Sequence, residues 1–197
     1  MRKFRNSLSS SQQMDKANVT LDPDTANHRL TVSADRRSVR WERTRQDLPD
    51  NPERFDTEHC VLGCEGFTSG RHTWEVEVEV EVEGREVCDV GVARESVSRN
   101  GGISLNPEQG IWAVRCSEDQ CWALNMQCIP FPPSQAPPRI RVYLDYEVGQ
   151  VAFFIASTGD PMVTFPPASF AGERIRPFFR VSTTVPLCYA GASVRLL

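Results

Sequence analysis

The chain has 197 residues, 40% of them hydrophobic and 24% charged, which fits one soluble globular domain with a substantial core. A formal net charge of −4 argues against a general nucleic-acid binder. No run approaches the roughly 18 consecutive apolar residues of a membrane-spanning helix.

Residues 1–18 form an N-terminal lead-in, basic and Ser/Gln-rich, without the apolar stretch of a signal peptide. A short helix around Leu8 to Ala17 is the expectation there. From Val19 onward the pattern is strands and turns. Val19-Thr20-Leu21 precedes the turn signal Asp22-Pro23-Asp24. Leu30 to Val32 and Ser38 to Trp41 read as short strands flanking the polar turn Ala34 to Arg37. A proline-punctuated loop, Asp47 to Pro52, leads to the apolar Val61 to Gly63.

The clearest strand is Trp74-Glu75-Val76-Glu77-Val78-Glu79-Val80-Glu81-Val82-Glu83. Its alternation puts every Val on one side and every Glu on the other. The Val side must be buried and the Glu side wet. A row of carboxylates repels itself, so neighbouring basic side chains are expected to offset it. Further strands are expected at Val87–Val92, Gly110–Arg115, Cys121–Asn125, Ile140–Asp145, Gln150–Ile155, Ile175–Val181 and Ser193–Leu197. Tyr146-Glu147-Val148-Gly149 is a hairpin turn in which Gly149 can supply a positive φ. Pro130, Pro132, Pro133, Pro137 and Pro138 mark a long loop. Many short strands with regular turn signals and no ordinary amphipathic helix after residue 20 argue an all-β sandwich.

Seven cysteines, at 60, 64, 88, 116, 121, 128 and 188, cannot all pair within one chain. Most lie in apolar strand-like runs, where a free thiol behaves as a small hydrophobe, and the expectation is a reducing compartment. Their spacings make no paired knuckles of the zinc-binding kind. Asp145 and Glu147 are two apart beside a turn, so they do not face each other across a cleft as glycosidase carboxylates do. His59 and Cys60 point to opposite faces of a strand and cannot act as a base–nucleophile pair. No Gly-rich phosphate loop opens a helix. The sequence therefore points to a binding domain that catalyses nothing and needs no cofactor.

Ordered motifs then carry a resemblance. They begin with Val19 to Asn27, Leu30 to Ser33, Arg36 to Val39, Leu48 to Phe55 and Val61 to Gly63. They continue through Phe67 to His72, Trp74 to Val78, Gly91 to Val97 and Pro107 to Trp112, and end with Leu144 to Glu147 and Arg176 to Phe179. Together they resemble the PRY–SPRY domain at the C-termini of tripartite-motif (TRIM) ubiquitin ligases and butyrophilins, over about residues 19–197. The resemblance implies PRY over about 19–66 and SPRY over about 67–197, in a bent two-layer antiparallel β-sandwich with a short N-terminal helical lead-in. It departs from the family pattern in three places. The Val/Glu unit is four residues longer, Cys88 stands where a Trp is usual, and Thr73 replaces a Tyr.

The resemblance implies recognition of a protein or peptide partner through variable loops. The expected role is the C-terminal substrate-recognition module of a TRIM-type E3 ligase in innate immunity. An intracellular ligand-sensing domain of a butyrophilin-like receptor is the alternative, and a carbohydrate-binding module is the alternative of another class. Ligase chemistry would lie upstream on a parent protein, which could dimerise through a coiled coil. The domain is expected in the cytoplasm, or on the cytoplasmic side of a receptor, without nucleic-acid or direct membrane contact. Arg71, His72 and Thr73 are pocket candidates, because in some butyrophilins the matching His and an Arg at the position of Arg180 hold a small phosphorylated ligand. An arginine fork and an imidazole suit such an anion. Arg94, Arg99 and Asn100 border the flexible loop Ser96 to Pro107 and are expected partner contacts. Trp122 is the aromatic candidate for the surface, whereas Trp112 is expected in the core. Of Phe178 and Phe179, one should face the core and the other the surface.

Overall fold

The computed structural model describes residues 14–79, 86–117, 121–124, 139–183 and 193–197. Thirteen strands are described. They are β1 (Asp15–Lys16), β2 (Leu30–Val32), β3 (Ser38–Trp41), β4 (Cys60–Leu62), β5 (Arg71–Glu79), β6 (Glu86–Arg94), β7 (Ile111–Cys116), β8 (Cys121–Ala123), β9 (Arg139–Asp145), β10 (Gln150–Ile155), β11 (Pro161–Thr164), β12 (Ile175–Thr183) and β13 (Ser193–Leu196). A single 3-10 turn at Pro107–Gln109 is the helical element among the described residues, and none of them forms a helix able to cross a membrane.

The strands make two sheets. The larger runs β11-β10-β9-β5-β13-β3-β2, with β1 added to β5, and the smaller runs β4-β12-β6-β7-β8. Among the described residues every strand pairing is antiparallel except β1 with β5. The lead-in therefore departs from expectation where it is described. Asp15 and Lys16 lie in parallel register with His72 and Thr73, and Ala17 N–H donates to Thr73 O at 2.8 Å. Open backbone groups on β5 outcompete a helix whose remaining residues, 8–13, lie outside the described set.

The alternating strand behaves as its pattern demands. Trp74, Val76 and Val78 are buried between the sheets, opposite Val90, Val92, Val114 and Phe179 of the small sheet. The Glu face is neutralised across β5 and β9. Arg141 meets Glu75 at 2.9 Å and Arg139 meets Glu77 at 3.6 Å. Val80 to Glu83 and the proline-rich loop 130–138 lie outside the described residues. Gly149 closes the β9–β10 hairpin at φ 68°, and a Cβ there would stand 1.6 Å from Ala168 O.

Two expectations are corrected. Phe178 and Phe179 do point to opposite faces of β12, but both are fully buried, because the small sheet is covered on both sides. Phe179 belongs to the core between the sheets. Phe178 belongs to a second core with Leu62, Ile111 and Ala113, roofed by Phe55, Val97, Ile103 and Leu105. The cysteines are also not all thiols. Cys116 and Cys121 face each other across β7 and β8 and form a disulfide, while Cys60 and Cys88 are buried and Cys64 is exposed.

Candidate protein-interaction face

The outer face of the small sheet carries a row fixed by strand register. Cys60 lies opposite Arg180, Arg180 opposite Asp89, Asp89 opposite Arg115 and Arg115 opposite Trp122. Residues directly opposite share a face, so these side chains stand side by side. One step along the strands, Leu62, Phe178 and Ala113 lie under the Phe55–Val97 roof. The roof stops before the polar row, which leaves Arg180, Arg115 and Trp122 half-buried at its margin.

Asp89 organises this row. It is fully buried, an unusual place for a carboxylate without partners. Arg115 grips it with two bonds, Nε to Oδ1 at 2.7 Å and Nη2 to Oδ2 at 2.9 Å. Arg180 Nη1 adds a third at 3.3 Å. The hydrogen bonds to Asp89 hold the Arg115 guanidinium above its ordinary pKa, against the opposing effect of burial. Arg180 Nε also lies 3.1 Å from Glu58 Oε2, an ion pair without the alignment of a hydrogen bond. Two guanidiniums thus meet two carboxylates. Beside them, burial first and the Arg180 charge second hold the His59 imidazole below its usual pKa. Burial pushes the Cys60 thiol well up, so it is an inert core group.

The remaining sequence-picked residues lie elsewhere or are engaged. Arg71 begins β5 on the outer face of the large sheet and binds Asp145 at 2.7 Å. Thr73 Oγ1 donates to Val142 O at 2.8 Å. His72 stacks on Phe67 with centroids 4.1 Å apart, and its Nε2 lies 2.7 Å from Ser69 O. Phe67 bridges Ile175, and Arg180 is five positions further along β12, roughly 17 Å at strand rise. His72 and Arg180 are therefore not brought together. Arg94 clamps the 169–173 segment through Phe170 O, Ser169 O and Glu173, and lies over the Trp112 ring at 5.4 Å. Arg99 donates to the carbonyls of Val97, Glu53 and Glu95 and covers Phe55, which makes it part of the roof. Burial lowers its pKa. Asn100 is exposed on the same loop. Trp122 and Arg180 are the two that share the polar row.

Sequence reasoning missed Asp89, Arg115 and Glu58. The signal was present in Val87-Cys88-Asp89-Val90, where an acid interrupts an apolar strand and so requires a buried cationic partner. It also passed over Arg176, a buried fork that ties Gly63 O, Glu95 and Asp22 together.

The arrangement is a pre-paired charge row ending in an aromatic side chain, suited to binding. Comparison with known proteins places the chain in a family. The SPRY-associated domain, PRY, matches residues 19–67, and the SPRY domain matches residues 71–190. The E3 ubiquitin-protein ligase TRIM15 of Sus scrofa is 46% identical over 181 residues, covering 92% of this chain and 38% of that protein. Butyrophilin subfamily 1 member A1 of Bos taurus is 47% identical over 161 residues, covering 82% of this chain and 30% of that protein. The chain thus spans about a third of the length of these relatives. Among solved structures, the TRIM65 PSpry domain superposes with a TM-score of 0.70 at 22% identity, covering 92% of this chain and 91% of that one. The stonustoxin structure gives the same TM-score at 24% identity, over 92% of this chain and 29% of that one. SPRY is a protein-interaction fold rather than a catalytic one. With its two-sheet architecture and both matches in order, the chain belongs to the PRY–SPRY family shared by TRIM proteins and butyrophilins.

Proposed function

We propose that this domain recognises a partner protein with the outer face of its small sheet, as the substrate-recognition module of a TRIM-type E3 ligase acting in innate immunity. The observation that carries the reading is the row from Arg180 through Asp89 and Arg115 to Trp122, left open where the Phe55–Val97 roof ends. Half-buried tryptophan and arginine are the side chains that dominate interface energetics. Fixing them in a bonded row lowers the ordering cost of binding. TRIM15 aligns with 92% of the chain, which favours the ligase context. A butyrophilin-like sensing domain is the second reading, favoured by the 47% identity to butyrophilin subfamily 1 member A1, against 46% to TRIM15.

The test compares proteins captured by the wild-type chain with those captured by Trp122→Ala and Asn100→Ala, with Arg141→Ala on the large sheet as control. Loss of the same partners in W122A and N100A, with R141A unchanged and melting temperatures preserved, is the expected result. Partners lost in R141A and retained in W122A would move the interface to the other sheet.

A further inference from the structure

The inner side of the same strands holds a second row. Cys88 lies opposite Cys116, and Cys116 opposite Cys121, so three sulfurs stand across β6, β7 and β8. All three residues are buried, at 0%, 3% and 1% exposure. The outer pair is the Cys116–Cys121 disulfide, with its Cα atoms 4.1 Å apart. That distance is nearer the roughly 4.5 Å of a non-hydrogen-bonded pair in an antiparallel ladder than the roughly 5.5 Å of a hydrogen-bonded one. Leu124 N–H donates to Ala113 O, so by alternation the backbone bonds of this ladder fall at 113/124 and 115/122, not at 116/121.

Strand β8 is three residues long and, among the described strands, is one edge of the small sheet. At its start the covalent bond does what backbone bonds do elsewhere. Trp122 sits between the inward-facing Cys121 and Ala123 and points outward beside Arg115. The sulfur bridge on one face therefore fixes the aromatic side chain on the other.

We propose that the Cys116–Cys121 disulfide is a redox latch on the edge strand, so that a dithiol reductant loosens β8 and releases Trp122 from its place beside Arg115. The step balances. The dithiol gives up two electrons and two protons and closes to its own cyclic disulfide, while Cys116 and Cys121 each gain one electron and one proton and end as thiols. In a reducing compartment such bonds are usually transient and catalytic or redox-sensing, and in an oxidising one they persist. The consequence for partner binding rests on the proposed interaction face. The latch itself does not.

The experiment is hydrogen–deuterium exchange on the 197-residue chain, oxidised and after dithiothreitol, with mass spectrometry recording the state of the 116–121 bridge. Closing a loop this short constrains the open strand by on the order of tenfold or more. Reduction is therefore expected to raise exchange at residues 121–124 by at least that factor, with β6 and β12 unchanged. Cys121→Ser should show the raised exchange with or without reductant. Equal rates at 121–124 in the two redox states, to within about twofold, overturn the latch. So does a rise spread evenly over β6 and β12, which would mean loosening of the whole sheet. Because the wild-type chain supplies both states, the test does not depend on any variant folding. If exchange is redox-dependent while partner capture ignores W122A, the latch stands and the proposed face falls. If exchange is redox-independent, the latch falls whatever W122A does.

Discussion

Asp89 is the most informative position to perturb. Replacing it with asparagine keeps its size but removes the charge and turns one acceptor into an NH2 donor that faces a guanidinium N–H. Three hydrogen bonds from Arg115 and Arg180 depend on that carboxylate, which is 0% exposed. Breaking a buried ion pair costs about 3–5 kcal/mol. The two arginine side chains are 25% and 20% exposed and regain some hydration, so the expected loss is about 2–4 kcal/mol. In a domain of this size each kcal/mol moves Tm by roughly 2–4 °C. Urea unfolding at neutral pH, followed by tryptophan fluorescence, should show a lower midpoint with an unchanged slope. A double-mutant cycle of D89N with Arg115→Met should give a coupling of about 1–3 kcal/mol. A loss below about 1 kcal/mol, or strict additivity with R115M, would refute the view that Asp89 organises the row.

Three further expectations follow from other sites. Phe178→Ala should destabilise by about 3–5 kcal/mol in the same unfolding assay, as for a fully buried core phenylalanine and not a surface one. The His59 imidazole should titrate below its ordinary 6.5 in an NMR pH series, because burial and the Arg180 charge oppose its protonation. Its folded pKa is depressed, so its stabilising effect is full above about pH 6.5 and declines as pH falls, since the unfolded chain takes up the proton first. At Glu173 burial pushes the carboxyl up, but bonds from Ser96 and Arg94 outweigh this and hold it below the ordinary 4.5. That contribution is present above pH 4.5 and lost as pH falls through the lower folded value. Glu173→Gln should accordingly flatten the acid limb of stability against pH.

The fold was legible because alternation carries it. Trp74 to Val78 announces one buried face, and Gln150 to Ile155 emerges as a strand with the expected limits. Elements without such a signal are not legible. Val19 to Leu21 contributes a single bridge from Leu21 to Gly63, and β11, which begins with proline, gave no clean period. The burial of both Phe178 and Phe179 is not legible because alternation distinguishes two faces and says nothing about what covers each. The roof comes from Phe55 and the 97–105 loop, more than 70 residues away in the chain. The polar row of the small sheet is only partly visible in the sequence for the same reason. Trp122 stands out as an aromatic and Arg180 by its position in the family resemblance, whereas the row that joins them exists only once the β12–β6–β7–β8 register is set. Arg94 and Arg99 are candidates by their place beside the Ser96 to Pro107 loop, but nearby carbonyls consume their donors, a fact that loop position does not encode.

The position of β4 bears on how the protein can be divided. That strand lies within the residues matched by PRY, yet it pairs with β12, deep in the residues matched by SPRY. Strand β3 likewise pairs with β13 near the end of the chain. A cut between residues 67 and 71 would strip β1, β2 and β3 from the large sheet and β4 from the small one, and would take Phe55 and Leu62 away from Phe178. The two named halves are thus one cooperative folding unit, and a fragment trimmed to the SPRY match alone should aggregate rather than bind.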